Sequence, residues 1–192
     1  MGNAGSKLKS ASQKMNEDIR PSCFDRLLVG KKDLVGAEIG VYAGDHAQEM
    51  FKKLDIKKLY LIDPYELYPA YAGHRLGARG WRSLPGVMMY AKKILKEKGY
   101  AERIVWLIMM ANEAVNKVNE PLDFVYIDGN HDYGFVMDDI TNWAPKVKEG
   151  GLVGGHDYGP SRYGVYEAVN DYCSKNNIEF QVEGEEWMFW KK

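Results

Sequence analysis

Five short apolar runs, four of them closed by a glycine or an acid, constrain this chain more than any other feature. They are LVGAEIG, KLYLID, RIVWLIM, LDFVYID and GGLVGG. Between and after them lie segments with helical spacing: DHAQEMFKKL, ANEAVNKV, YGFVMDDITNWAPKV and YGVYEAVNDYCSK. In the first of these, Ala47, Met50, Phe51 and Leu54 share one face. Buried strands alternating with helices predict parallel βαβ units, with helices covering both faces of the sheet. IEFQVEG and EEWMFWK then read as a closing antiparallel hairpin, with Gly184 near its turn. The expectation is an α/β, doubly wound, mostly parallel seven-stranded sheet.

With 192 residues, 45% of them hydrophobic, the chain can build one well-cored domain. That domain is assigned to residues 21–192, after an N-terminal tail and helix over 1–20. Pro21 is expected to open a helix PSCFDRLLV. Residues 64–86, PYELYPAYAGHRLGARGWRSLPG, break the alternation and read as a substrate loop or lid.

The formal net charge of −1 leaves no basic excess to hold a phosphate backbone, which argues against nucleic acid as a partner. Two isolated cysteines, Cys23 and Cys173, fit a reducing, cytoplasmic setting. No run reaches the roughly 18–20 apolar residues that span a bilayer. MGNAGS matches the M-G-x-x-x-S pattern for myristoylation of Gly2, with Lys7, Lys9 and Lys14 nearby. One acyl chain gives only weak membrane association. The plainer reading is a loose Gly/Ser-rich start.

In an open parallel sheet, ligands bind outside the carboxyl ends of the strands. Those ends carry Glu38-Ile39-Gly40, Asp63-Pro64-Tyr65, Asp128-Gly129-Asn130-His131 and Gly155-His156-Asp157. Asp63 suits a ribose, because a carboxylate can accept from both hydroxyls. Gly40 and Gly44 let backbone approach a ligand, yet the third glycine of a pyrophosphate turn is missing. Glu38 would repel phosphate and could accept from an ammonium. A ligand with adenine, ribose and a cationic amino-acid tail fits better than a nicotinamide dinucleotide, and S-adenosylmethionine is such a ligand.

EIGVYAGDHA, LYLIDPY, FVYIDGNHDY and GGLVGGHDY, in this order and spacing, resemble class I S-adenosylmethionine-dependent methyltransferases of Rossmann-like fold. The likeness is closer to the metal-dependent O-methyltransferase branch with the catechol and macrocin enzymes, in the group carrying IDG-x-H-x-Y and GHDY. It extends from about Val35 to Val169. The resemblance implies that Glu38, Gly40, Tyr42 and Gly44 surround the methionine part of the cofactor. It implies Asp63, followed by Pro64, at the ribose, and Ala111 and Asn112 at the adenine. His131 would sit beside adenine or sulfonium, near Asp128. The chain departs from the family at His46 and Ala111, where serine is common.

Asp128, His156 and Asp157 could converge on one divalent cation, magnesium or manganese. In the family such a metal binds the acceptor hydroxyl and lowers its pKa. His131 is the candidate base, since an imidazole titrates near working pH. Asn130 stands where some relatives have an acid. Asp132, Asp138 and Asp139 read as solvated helix-start charges. Met88, Met89, Met109 and Met110 read as core filling, and Trp143, Trp187 and Trp190 as packing. Tyr65, Arg75, Trp81 and Tyr158 are the candidate substrate contacts.

The expected activity is therefore methylation of a small-molecule or glycan hydroxyl, assisted by a cation; a homodimer is compatible with it. The rivals are a metal-independent enzyme acting on nitrogen or carboxylate and a degenerate, membrane-tethered binding module.

Overall fold

The computed structural model describes residues 22–70 and 83–192. The tail with Gly2, Lys7, Lys9 and Lys14, the expected helix start at Pro21, and Arg75 and Trp81 lie outside them.

Six buried residues show how the sheet divides two cores. Along Leu59–Ile62 and Phe124–Ile127, successive side chains point to opposite faces, as the pleat requires. Leu59, Leu61, Phe124 and Tyr126 enter one core, while Ile62 and Val125 enter the other. The strands are β1 (Leu34–Ile39), β2 (Ile56–Ile62), β3 (Ile104–Leu107), β4 (Leu122–Ile127), β5 (Val147–Gly155), β6 (Gln181–Glu183) and β7 (Glu186–Trp190). They form one sheet in the order β3-β2-β1-β4-β5-β7-β6. The first five are parallel; β7 runs antiparallel to β5, and β6 antiparallel to β7. The doubly wound Rossmann-like expectation and the C-terminal hairpin both hold.

Helices α1 (Cys23–Leu28), α2 (Asp45–Lys53) and α3 (Leu84–Glu97) cover the face that holds Phe124. Helices α4 (Ala111–Ala114), α5 (Tyr133–Trp143) and α6 (Tyr163–Lys175) cover the other. Two starts differ from expectation, and capping explains both. Ser22, not Pro21, bounds α1: its hydroxyl accepts from the Asp25 N–H. Ser83 caps α3 by accepting from the Gly86 N–H, and Pro85 occupies the first turn, so helix begins inside the expected 64–86 loop.

Helix α1 is joined to the closing hairpin at Glu186 on β7. Its carboxylate accepts from the Ser22 hydroxyl (2.6 Å), the Cys23 N–H (2.6 Å) and the Tyr126 hydroxyl (3.0 Å). Met88 packs on the core, but Met89 is largely exposed and Trp190 partly so; Trp143 and Trp187 are fully buried. Among the described residues no helix is long and apolar enough to cross a membrane.

Parallel register sets the site. Ile39 pairs with both Ile62 and Ile127, and Ile127 pairs with Gly155. The next residues continue the ladder: Gly40 N–H donates to Ile62, Asp128 N–H to Ile39, and His156 N–H to Ile127. Gly40, Asp63, Asp128 and His156 thus stand in one row. The chain reverses its direction of winding between β1 and β4, which opens a crevice there.

Candidate functional site

A cavity of about 430 Å³ occupies that crevice, a size suited to a small ligand. Glu38, Gly40, Tyr42, His46, Asp63, Pro64, Ala111, Asn112, Asp128 and His131 line it. Gly44 is not among the lining residues. With φ of 75° it precedes α2, and a Cβ there would meet Leu95 of α3 at 3.3 Å. Its left-handed backbone serves the helix start.

The first turn is held from behind. Gly40 has φ of 83°, and a Cβ on it would lie 1.9 Å from the Asp128 carbonyl oxygen. Only glycine fits so close a crossing. Tyr42 also has positive φ (47°), strained for a residue with a side chain. Asp63 fixes it: Oδ2 accepts from the Val41 and Tyr42 N–H groups at 3.1 and 2.9 Å, and Oδ1 accepts from the Tyr65 N–H at 2.8 Å. Burial pushes the Asp63 carboxyl up, and these N–H groups oppose it. Two N–H bonds fill the lone pairs of Oδ2, so Oδ1 keeps the free acceptor position for a ribose. Tyr65 differs from the expectation of a substrate contact. It is buried beside the turn with its hydroxyl donating to the Tyr42 carbonyl (2.8 Å), and it does not line the cavity.

Beneath the turn lies a buried charge group. His46 Nδ1 is 3.2 Å from Glu38 Oε1, and Nε2 is 3.5 Å from Asp25 Oδ1. Both carboxylates are sealed, at 1% and 0% exposure. Lys53 approaches Asp25 from the other side at 3.5 Å. Burial works against a charged imidazole, but Asp25 and Glu38 outweigh it and lift His46 to about 10. At neutral pH this favours the imidazolium, whose ring lies tilted by 37° against Tyr126 at 4.0 Å. Glu38 Oε2 is buried with no hydrogen-bond partner among the described residues. His46 thus sits between two buried acids contributed by α1 and β1.

The metal-ligand geometry differs from the sequence expectation. Asp128, His131 and Asp157 place ligand atoms within 4.8 Å of one another, whereas His156 groups with Asp157 and Glu185. His156 stays outside the first group although its Nδ1 is 3.7 Å from Asp157 Oδ1. Asp157 turns inward on a left-handed backbone (φ 60°). His131 Nε2 then lies 2.9 Å from Asp157 Oδ2 and 3.5 Å from Asp128 Oδ1. Those carboxylates raise His131 to about 9, while His131 and His156 hold Asp157 far below the usual carboxylate range. Unaided, His131 keeps its proton at pH 7.

Helix α5 supplies a wall that the sequence reading overlooks. Phe135 and Asp139 line the cavity, and Trp143, one turn on, donates from Nε1 to the Ala111 carbonyl at 3.2 Å. Asp139 is no solvated charge: it is 8% exposed, and burial, with Asp138 adding, pushes it up to about 7. Asp138, by contrast, is exposed. Spacing carried the signal, because 135, 139 and 143 share the face of a buried tryptophan. Met110 also lines the cavity rather than the core. Tyr68 closes the cavity's edge, its hydroxyl accepting from Asn130 Nδ2 (3.3 Å) and its ring 5.6 Å from Phe135. Tyr158 packs away from the cavity on Tyr166 and Phe180.

Residues 37–158 match a family model described as a methyltransferase domain, about two-thirds of the chain. No protein of curated function matches the sequence. Among solved structures, the chain is similar to the O-methyltransferase NovP (20% identity, TM-score 0.63, covering 84% of this chain and 72% of that one). It is similar to the O-methyltransferase TomG from Streptomyces achromogenes, involved in tomaymycin synthesis and solved with SAM (15%, 0.64, 96% and 82%). It also resembles SMU.1697c, a methyltransferase-like protein from Streptococcus mutans solved with SAH (11%, 0.65, 96% and 99%). At these identities the likeness is one of fold.

Proposed function

The chain belongs to the methyltransferase-domain family and is an S-adenosylmethionine-dependent methyltransferase, and from that premise we propose that it methylates a hydroxyl of a small molecule or glycan with help from a divalent cation. The observation that carries the reading is the row of acids at the strand ends, facing a cavity with no phosphate cradle. Glu38 Oε2 lacks a partner and suits the ammonium of the donor's amino-acid tail. Asp63 Oδ1 suits a ribose hydroxyl, and the left-handed turn at Gly40 lets backbone come close. NovP and TomG are O-methyltransferases, which favours oxygen as the acceptor atom.

Asp128, His131 and Asp157 suit magnesium or manganese, two carboxylates and an imidazole being a common donor set for such ions. When bound, the donor supplies an electrophilic methyl and the cation supplies Lewis acidity that lowers an acceptor hydroxyl's pKa. The chain's own part is positional. Glu38 suits the donor's amino-acid tail and Asp63 its ribose, Tyr68 and Phe135 wall off water, and Asp128 faces the cavity with Asp157 joined to it through His131. His131 serves as ligand or as base but not as both, because the same Nε2 faces Asp128 and Asp157.

Calorimetric titration with S-adenosylhomocysteine tests the donor, and turnover with and without EDTA tests the cation. Micromolar binding, about −8 kcal/mol, is expected with or without chelator. Methyl transfer to hydroxyl acceptors is expected to stop in EDTA and return with manganese or magnesium. Undiminished transfer after chelation would favour the metal-independent reading. No binding under any condition would refute the donor site.

A further inference from the structure

Two of the cavity's acids have an assigned partner on the donor, and a third does not. Asp139 lines the cavity, is more than nine-tenths buried, and receives no hydrogen bond among the described residues. A buried carboxyl without a partner destabilises a fold unless a ligand meets it. Its place narrows what that ligand group is. Asp139 Oδ2 lies against Gly129: a Cβ added to that glycine would be 3.7 Å away. One turn further along α5, Trp143 is bonded to Ala111 at the start of α4. Asp139 therefore stands between the end of β4 and the start of α4. Around it the wall is apolar, with Ala111, Met110 and Phe135.

The donor carries three groups that give hydrogen bonds: the ammonium, the ribose hydroxyls and the exocyclic amine of adenine. Glu38 and Asp63 suit the first two. We propose that Asp139 accepts from the 6-amino group of adenine and so sets the base specificity of the donor site. The inference rests on the donor assignment above. It gives α5 the reading role that Ala111, lacking a hydroxyl, cannot fill. Phe135, four residues earlier on the same face, supplies apolar surface for the ring.

The test compares S-adenosylhomocysteine with its analogue lacking the 6-amino group, by calorimetry, on the full chain. Wild type is expected to prefer the amino ligand by about 10- to 100-fold, the range for a hydrogen bond to a charged or buried acceptor. Asp139→Leu is expected to lose that factor and to bind both ligands alike. Asp139→Asn, whose amide oxygen still accepts, is expected to keep most of the preference. A Leu variant that still discriminates, or binds S-adenosylhomocysteine as wild type does, overturns the proposal. So does a variant that lowers turnover while leaving binding intact, which would assign Asp139 to the acceptor. If the Leu variant does not fold, wild type alone decides: equal affinity for the two ligands refutes the assignment. A folded wild type that binds neither ligand refutes the donor site itself, a different result.

Discussion

Replacing His46 with alanine is expected to destabilise the fold by about 3–5 kcal/mol at pH 6, the usual loss when one member of a buried ionic group is removed. The imidazolium lies between Glu38 and Asp25, both sealed from water, and Lys53 meets only one of them. Without the ring, Glu38 is left with a buried charge and no counter-ion. The pH dependence has a defined sign. The folded pKa of His46, about 10, lies above its unfolded value of 6.5. Its contribution is complete below pH 6.5 and is lost as the pH rises through 10. Urea titrations of wild type and His46→Ala at pH 6 and pH 10 should show the gap narrowing. A loss under about 1 kcal/mol at pH 6, or a gap that stays constant, would show that the triad holds no ion pair.

Asp139→Asn is expected to act in the opposite direction, and more strongly as pH rises. The folded pKa of Asp139, about 7, exceeds the unfolded 3.8. Below pH 3.8 the group is protonated in both states and has no differential effect. Between 3.8 and 7 the folded state retains a proton that the unfolded chain releases, so wild-type stability falls as pH rises. A shift of about three pKa units corresponds to about 4 kcal/mol by pH 8. Asparagine does not titrate, so the variant's advantage over wild type should grow across this range. Thermal melts at pH 4.5 and pH 8 measure it. Equal differences at the two pH values would mean that Asp139 ionises normally and is not held in an apolar wall.

The fold was legible because buried parallel strands leave an unmistakable trace of apolar runs separated by helical spacing. LDFVYID and GGLVGG could be little else. Helix α3 was less visible: Gly86 and Pro85 read as loop residues, and only the Ser83 cap shows that they open a helix. At the site, acids ending β1, β2 and β4 were legible because strand ends in such sheets face the crevice. The exchange of His131 for His156 was not, since it depends on the left-handed turn at Asp157. Nor was the partnership of Asp25 with His46, which joins α1 to α2 through packing alone. Asp139 was legible in principle. Its phase relative to Trp143 placed it inward, but an acid near a helix start suggested solvent first.

Asp63, described above as a clamp on the strained backbone of Tyr42, has a consequence for recognition itself. The turn that would receive the donor is already in its final shape, held by three N–H groups and the Tyr65 hydroxyl. A turn held in this way has less backbone freedom to lose when a ligand enters, so less of the contact energy there is spent on ordering it. The strain at Tyr42 is met once, during folding, and not again at each catalytic cycle.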